Sequence, residues 1–372
     1  KIRKAIKSDS VKDFFILFFA KFLQIVFGLI REIIIASVFA SSLIYANYLL
    51  LRTVADFFSQ FTVGNALKAN LLPKFTKVLE KYNEVSLSKV FDFSKKSMLL
   101  LFVISQIIQF LIIWYLDTNY ILELILISVL LSISISFNFL NTIYLTFIQA
   151  QGKFLKYSLA TILNSFLVVV LIKPLTLLCG VIGLALSRLF GILTLTFYYI
   201  LPMNKKNEGY KVDISSSDFN FPTLMLGNFA NIIILSSRFV SGSDGGVSIT
   251  YFTYSVIILN AFLTSIVGNI STLLLRKISI KNNNMFMLYS LIISVLVGIA
   301  LVIGLEFYGF EIIKLVYMRG EFNINDVEHT TEFIKNLSYS FILIFIATTL
   351  FQPFFSLDII STRKVRRLIS LI

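Results

Sequence analysis

Long apolar stretches alternate with short polar, mostly basic stretches along the whole chain. A helix of about 20 apolar residues is long enough to cross the hydrocarbon core of a bilayer. Ten stretches of this kind predict ten membrane-spanning helices. They lie at about residues 13–38, 43–73, 97–116, 120–149, 155–173, 178–202, 220–240, 247–275, 285–308 and 327–353.

The prolines agree with this division of the chain. Each falls near a predicted end of a span, where a missing backbone N–H costs least. They are Pro73, Pro174, Pro202, Pro222 and Pro353. The helices are therefore expected to end close to these residues.

Composition also indicates an integral membrane protein. Hydrophobic residues make up 57% of the 372 and charged residues 14%, and the mean hydropathy is +0.86. The net charge of +13 comes from clusters between the spans and not from one basic face, so no nucleic-acid partner is expected. A single cysteine and a single histidine exclude a disulfide framework and argue against a Cys/His metal site. No cofactor or metal is predicted.

The basic residues predict the orientation in the membrane. They concentrate in the N-terminal segment and in every even-numbered connection, and the second connection alone carries Lys74, Lys77, Lys81, Lys89, Lys95 and Lys96. The odd-numbered connections together carry only Lys173, Arg238, Lys314 and Arg319. Because cytoplasmic connections are enriched in lysine and arginine, we expect a cytoplasmic N-terminus.

A basic segment divides the spans into two groups. We predict an N-terminal six-helix bundle over residues 1–203, a cytoplasmic linker over 204–218, and a C-terminal bundle over 219–372. The last of these holds four complete helices and the start of a fifth. The predicted fold class is thus an all-α polytopic membrane protein, with two pseudo-symmetric transmembrane bundles around a central cavity and an incomplete second bundle.

Charged residues inside the first two spans are the strongest functional candidates. Arg31, Glu32, Arg52 and Asp56 are surrounded by apolar residues, and ionisable groups at such depth usually face a cavity or one another. Arg52 and Asp56 are four residues apart, so an intrahelical pair that neutralises both is an equal alternative. Glu32 points about 100° away from Arg31 around the helix, which favours a cavity role for Arg31.

Other polar residues in the spans admit a structural interpretation. Lys21, Lys68 and Arg188 are expected to snorkel or to pair near helix ends. Amide side chains such as Gln106 and Gln109 either line a cavity or join neighbouring helices. At the start of the last span, Asn325 is the predicted cap with Glu328 three residues on. His329 is expected to be solvated.

Several short motifs resemble those of one transporter family. They are Gly28 to Glu32, Phe39 to Ser41, Gly64 to Pro73, Ser243 to Ser248, Arg319 to Phe322, and Phe354 to Arg363. Each motif is weak alone, but together they extend over nearly the whole chain. The sequence resembles the MurJ (MviN) family of lipid II flippases, within the multidrug, oligosaccharidyl-lipid and polysaccharide (MOP) exporters. Family members have more helices than this chain.

The resemblance is incomplete at charged positions. Arginines typical of the family fall near Gln24, Ser59 and Ser255 here, and Val63 stands where the family has a glutamate. An acidic residue usual after the first loop is also missing. Only Arg31 and Glu32 carry over cleanly, so the exact substrate stays open.

The resemblance implies a flippase and no enzymatic chemistry. It predicts that lipid II, an undecaprenyl-diphosphate-linked cell-wall precursor, moves from the inner to the outer leaflet by alternating access. Arg31, Arg52 and Asn231 are the predicted substrate ligands, since arginine binds diphosphates well. Glu32 and Asp56 are predicted to hold the arginines or to take a coupling proton or sodium ion. Membrane potential is a further possible source of coupling.

Alternative functions remain open at this point. They are a flippase for another lipid-linked polysaccharide or O-antigen unit, and a cation-coupled drug exporter of the same superfamily. A polytopic glycosyltransferase would need catalytic carboxylates on a substantial outer loop or domain, which the short connections do not offer. The expected partners are a lipid-linked oligosaccharide and membrane lipids, for a monomer in the bacterial cytoplasmic membrane.

Overall fold

The computed structural model describes residues 2–63, 65–82, 85–116, 119–204, 210–214, 221–243, 246–262 and 284–351. These residues are almost entirely helical, and the protein is an all-α polytopic membrane protein, as predicted. Within them, six helices are long and apolar enough to cross a membrane. These are Ile16–Phe39, Ser88–Tyr115, Ile121–Ala150, Phe154–Cys179, Ile182–Ile200 and Leu288–Tyr317.

The helices follow the predicted spans in order. Those before the basic segment are α1 (Ile2–Phe39), α2 (Leu43–Val63), α3 (Asn65–Lys81), α4 (Ser88–Tyr115), α5 (Ile121–Ala150), α6 (Phe154–Cys179) and α7 (Ile182–Leu195). A π-helical turn (Thr196–Ile200) and α8 (Leu201–Asn204) continue α7. Those after it are α9 (Phe221–Ser241), α10 (Ser248–Phe262), α11 (Asn284–Tyr317) and α12 (Ile324–Phe351).

Two of the prolines do not end helices as expected. The backbone of Pro73 lies inside α3, and α6 continues through Pro174 to Cys179. Next to the second of these, the Thr176 hydroxyl donates to the Lys173 carbonyl at 3.0 Å. The ends of these two helices therefore lie beyond the predicted positions.

The chain divides into two compact units. Unit 1 comprises Lys1–Ile34 and Asn47–Asn220, and unit 2 comprises Ile35–Ala46 and Phe221–Ile372. The end of α1, the turn after it and the start of α2 therefore belong to unit 2, although they come early in the sequence. The predicted arrangement of two bundles around a central cavity stays a prediction.

Part of the predicted linker is built into unit 1. Its short strand β2 (Tyr210–Lys211) pairs in parallel with β1 (Val85–Ser86). After β2, Val212 and Ile214 are buried in a core with residues of α3, α4 and α5. The linker's described residues are thus packed rather than extended from the bundle.

The outer faces of the helices are apolar, as a lipid environment requires. On α4, Leu99, Leu111 and Trp114 are 68%, 61% and 81% exposed. The inward face of the same helix is polar: the Gln106 amide donates to Ser128 at 2.8 Å, and the Gln109 amide donates to Ser105 at 2.7 Å and to Ser132 at 3.2 Å. Ser105 belongs to α4 itself, whereas Ser128 and Ser132 belong to α5, so both glutamines link the two helices.

Candidate functional site

Among the residues that the structure describes, five charged side chains from α1, α2 and α7 meet inside unit 1. Arg31 and Glu32 come from α1, Arg52 and Asp56 from α2, and Arg188 from α7. We call these five residues the charge cluster. Three arginines and two carboxylates give the cluster a formal charge of +1.

Glu32 is the most deeply buried member of the charge cluster, at 1% exposed. Its Oε1 atom accepts hydrogen bonds from Arg31 Nε at 3.0 Å and from Arg31 Nη2. Arg52 Nη2 lies 3.6 Å from the same oxygen. Arg31 and Glu32 were expected to diverge around the helix, and that expectation is wrong, because the long arginine side chain folds back to its neighbour.

Asp56 joins α2 to α7. Its Oδ2 atom lies 3.4 Å from Arg52 Nε, which is the predicted pair four residues apart. Its Oδ1 atom accepts a hydrogen bond from Arg188 Nη2 at 2.8 Å. The pair on α2 is therefore one part of a larger alternation of arginines and carboxylates, and it does not stand alone.

A cavity of about 190 Å³ opens beside the charge cluster within unit 1. Arg31 and Arg188 both line this cavity. Its other polar lining residues are Gln24, Asn138, Asn164 and Ser165. Since water occupies about 30 Å³ per molecule in the liquid, the cavity has room for a few waters or one small polar group.

Two buried polar atoms at this cavity have no hydrogen-bond partner in the part of the chain that the structure describes. They are Arg188 Nη1 and Asn164 Oδ1. Most buried polar atoms in proteins have a partner, so such a pair calls for an explanation. The arginine nitrogen needs an acceptor and the asparagine oxygen needs a donor, so the two atoms suit bound groups that supply both, such as water with a polar ligand.

Close packing of α6 and α7 fixes this wall. A Cβ atom added at Gly191 would lie 2.5 Å from Asn164 Oδ1 and 2.9 Å from Val168 Cγ2. The missing side chain at Gly191 thus lets α7 approach α6 closely. This approach holds Arg188, one turn earlier on α7, at the same cavity as Asn164.

Arg188 is the functional candidate that the sequence interpretation missed. It was expected to snorkel or pair near a helix end, but it lies in the middle of α7 and pairs with Asp56. The available signal was its position within the apolar run Ile182–Leu195, the same kind of position that singled out Arg31. The two lysines that shared this expectation are not in the cluster as described: Lys21 is exposed, and the Lys68 side chain lies outside the described residues.

The remaining predicted positions are distributed over both units. In unit 1, Gln24 donates to Thr161 at 2.8 Å and lines the cavity. Ser59 lines a smaller cavity that also borders Arg188. In unit 2, Ser255 is buried and donates to the Thr330 carbonyl, and Asn231 is half-buried in α9. Asn231 belongs to unit 2, and its role as a substrate ligand stays a prediction.

Unit 2 contains a second buried carboxylate, at the start of α12. Asp326 is 2% exposed, and its Oδ1 atom accepts from the hydroxyls of Ser41 at 2.6 Å and Tyr251 at 3.3 Å. Its Oδ2 atom accepts from the Asn323 backbone N–H at 3.0 Å, and Asn323 Oδ1 accepts from the N–H groups of Asn325 and Asp326. The helix cap is thus Asn323 and not Asn325, because α12 begins at Ile324. We call Asp326 with these donors the Asp326 node.

One of the motifs noted in the sequence, Arg319 to Phe322, forms a tight turn in unit 2. Gly320 has φ +59°, and a Cβ atom there would lie 2.2 Å from the Ser37 carbonyl oxygen. The next residue, Glu321, donates its N–H to that oxygen at 3.0 Å. Phe322 is buried against Tyr254. The turn at Gly320 therefore packs on the end of α1. The motif at Phe354 to Arg363 lies outside the described residues.

Comparison with known proteins shows the fold. No protein-family model matches the sequence, and no curated protein matches it either. Among solved structures, lipid II flippase MurJ in an inward closed conformation is similar with a TM-score of 0.77 at 20% identity, covering 91% of this chain and 75% of that one.

Two MOP-superfamily structures give the same result. An inward-facing MATE multidrug transporter has a TM-score of 0.65 at 16% identity and covers 90% of this chain and 81% of its own. A MOP transporter from Pyrococcus furiosus, described as having a binding pocket of reversed polarity, has a TM-score of 0.50 at 14% identity. The match covers 98% of this chain and 96% of the Pyrococcus protein. The chain therefore has the fold of MOP-superfamily transporters.

Proposed function

We propose that the protein is a flippase that carries undecaprenyl-diphosphate-linked cell-wall precursor, lipid II, from the inner to the outer leaflet by alternating access. The observation that carries this proposal is the charge cluster, which places a net positive charge at a cavity among membrane-spanning helices. Charged groups at such depth are costly and are typical of transport pathways. An anionic diphosphate is the part of a lipid-linked sugar that such a site recognises.

Arginine suits this task better than lysine does. Its planar guanidinium stays protonated and binds two phosphate oxygens at once. Arg31 lines the cavity and is the first ligand that we assign. Arg52, which faces both carboxylates, becomes a ligand when one of them releases it. The assignment of Asn231 as a ligand rests on the family resemblance.

The carboxylates give a route to coupling. A proton or sodium ion on Glu32 or Asp56 would weaken that residue's hold on its arginines. The freed guanidinium would then bind the diphosphate more strongly. Coupling-ion binding and substrate binding would thus reinforce each other, with no covalent chemistry and no resident cofactor. We place the protein, as a monomer with its N-terminus inside, in the bacterial cytoplasmic membrane.

A flippase for another lipid-linked polysaccharide is the second candidate. It is favoured by Gln24 and Ser59, which are uncharged residues at cavity walls where the family resemblance leads one to expect arginines. A different sugar or a different diphosphate position would suit such a wall. The arginines at the cavity argue against a drug exporter that takes up organic cations, because like charges repel.

Complementation tests the lipid II proposal. The gene is expressed in a bacterium whose own lipid II flippase is depleted, as wild type, as Arg31→Ala and as Arg319→Ala. The last is a matched control, since Arg319 is exposed and donates only to the Leu315 carbonyl within its described surroundings. We expect wild type and Arg319→Ala to restore growth and Arg31→Ala to fail at equal membrane abundance. No rescue by a correctly inserted wild type would favour another polysaccharide.

A further inference from the structure

We propose that Arg188 and Arg31 form the two sides of a phosphoryl-binding subsite in the unit 1 cavity. The proposal rests on the proposed function, because it names the part of the substrate that the cavity takes. It assigns to α7 a ligand that no motif in the sequence indicated.

The charge cluster presents its two outer arginines to the cavity. Arg52 is the middle member and faces both Glu32 and Asp56. The outer arginines are Arg31, held by Glu32, and Arg188, held by Asp56, and both line the cavity. A formal charge of +1 is thus presented to the cavity from two sides. One added anion there would neutralise the cluster in surroundings where charge is poorly solvated.

The guanidinium of Arg188 is held at one edge only. Its Nη2 atom donates to Asp56 at 2.8 Å, which fixes the plane of the group. Its Nη1 atom is buried and has no partner among the described residues. One edge of the fork is therefore already immobilised, while the other edge lacks an acceptor in the described part of this structure. Preorganisation of this kind reduces the entropy lost when a ligand binds.

The ligands and the volume define the substrate group. Two arginines from different helices can each bind a separate oxygen of one tetrahedral phosphoryl group, which leaves a further oxygen for water or another donor. A cavity of about 190 Å³ holds a phosphoryl group and a few waters but not a disaccharide. The subsite therefore takes the phosphate part of the substrate, and the sugar lies outside it.

The direct test is binding of inorganic diphosphate to the purified full chain in detergent, measured by isothermal titration calorimetry. We expect saturable binding by wild type and at least about tenfold weaker binding by Arg188→Gln, as is typical for loss of a charge-assisted hydrogen bond. Arg188→Lys, which keeps the charge without the fork, should be intermediate. Arg319→Gln, at an exposed arginine, should bind as wild type does.

A double variant separates ligation from support of the fold. Asp56→Asn with Arg188→Gln replaces the ion pair by two neutral amides that can hydrogen-bond each other. If Arg188 is a ligand, the double variant still binds diphosphate weakly. If Arg188 serves only to neutralise Asp56, the double variant recovers wild-type binding, and the proposal is overturned. Wild-type binding by Arg188→Gln, or no saturable binding by wild type, overturns it as well.

Two further experiments, a competition assay and a translocation assay, test this subsite separately from the proposed function and identify the source of the phosphate. Undecaprenyl diphosphate in mixed micelles should compete with inorganic diphosphate and bind more tightly; if only the inorganic ion binds, a lipid-borne ligand is excluded. Translocation of fluorescent lipid II is then measured in proteoliposomes. Diphosphate binding that depends on Arg188, without lipid II translocation, would support the subsite and reject lipid II. Translocation that is unchanged in Arg188→Gln would reject the subsite alone.

Discussion

Both units bury a carboxylate among polar partners, but the partners differ. In the Asp326 node of unit 2, three neutral donors, two hydroxyls and one backbone N–H, converge on one acid. In the charge cluster of unit 1, carboxylates alternate with arginines, and one arginine N–H faces a cavity without a partner in the described chain. Burial of an acid is therefore not in itself a sign of function.

The difference lies in what each set of contacts can still do. The neutral donors of the Asp326 node come from the turn after α1, from α10 and from the start of α12, so they fasten three parts of unit 2 together. The charge cluster also joins three helices, yet it retains positive charge and an available donor at a cavity. We therefore interpret the Asp326 node as structural and propose the charge cluster as the binding site.

The largest effect is expected for Glu32→Ala. The substitution leaves Arg31 and Arg52 without the carboxylate between them, and breaking a buried ion pair costs about 3–5 kcal/mol. The loss is measured as the difference in the free energy of unfolding between wild type and variant, from denaturant titration in detergent. Glu306→Ala is the control, because Glu306 is 39% exposed beside Lys335, and it should lose about 1 kcal/mol or less. Equal losses in the two variants would contradict the structural weight given to Glu32.

Asp326→Ala should destabilise the protein by about 3 kcal/mol, since bonds to a charged acceptor contribute about 1.5–3 kcal/mol each and are not additive. It should leave the affinity of the folded protein for diphosphate unchanged. Asp326→Asn keeps one oxygen for Ser41 and Tyr251 and should lose less. Thermal unfolding followed by calorimetric titration checks both points. A loss of diphosphate affinity in a folded Asp326→Ala protein would remove the distinction between the two sites.

Gly320→Ala tests the turn that accompanies the Asp326 node. The positive φ and the nearby Ser37 carbonyl both oppose a side chain, so we expect a loss of about 2 kcal/mol. Gly304→Ala, inside α11, is the matched control because no atom lies within 4 Å of its added Cβ. It should stabilise the helix by up to about 1 kcal/mol. Unfolding midpoints that shift in the same direction would refute this account of Gly320.

The smallest effect is expected for Gln109→Leu. This residue joins α4 to α5 through serine hydroxyls, and contacts between membrane helices of this kind average about 0.6 kcal/mol. Unfolding in detergent should show a loss of this size, with diphosphate binding intact. A loss above about 2 kcal/mol would mean that neutral polar contacts stabilise this bundle as strongly as the charged ones.

Much of the fold was predictable because hydropathy and charge spacing are local properties. The predicted spans correspond in order to the helices found, although Pro73 and Pro174 lie inside helices. The cap of α12 was placed two residues late, since Asn323 and Asn325 both suit the role and only the backbone geometry distinguishes them.

The site was predicted only in part. Arg31, Glu32, Arg52 and Asp56 stood out because each is a charge in an apolar span. Arg188 has the same signal, but its interpretation depended on a partner 132 residues away in the sequence. Without that partner, a single arginine in a span could not be distinguished from one that reaches the membrane surface.

The sequence by itself determined the class of the protein, the order of its membrane helices and four of the five charges in the cluster. These follow from the free energy of placing each side chain in lipid or water, which depends on residue type and local spacing. The tertiary structure alone decided that Arg188 meets Asp56, that Arg31 bonds to its neighbour Glu32, and that residues 35–46 belong to unit 2. Such contacts depend on how distant helices pack, and local propensity does not encode that packing.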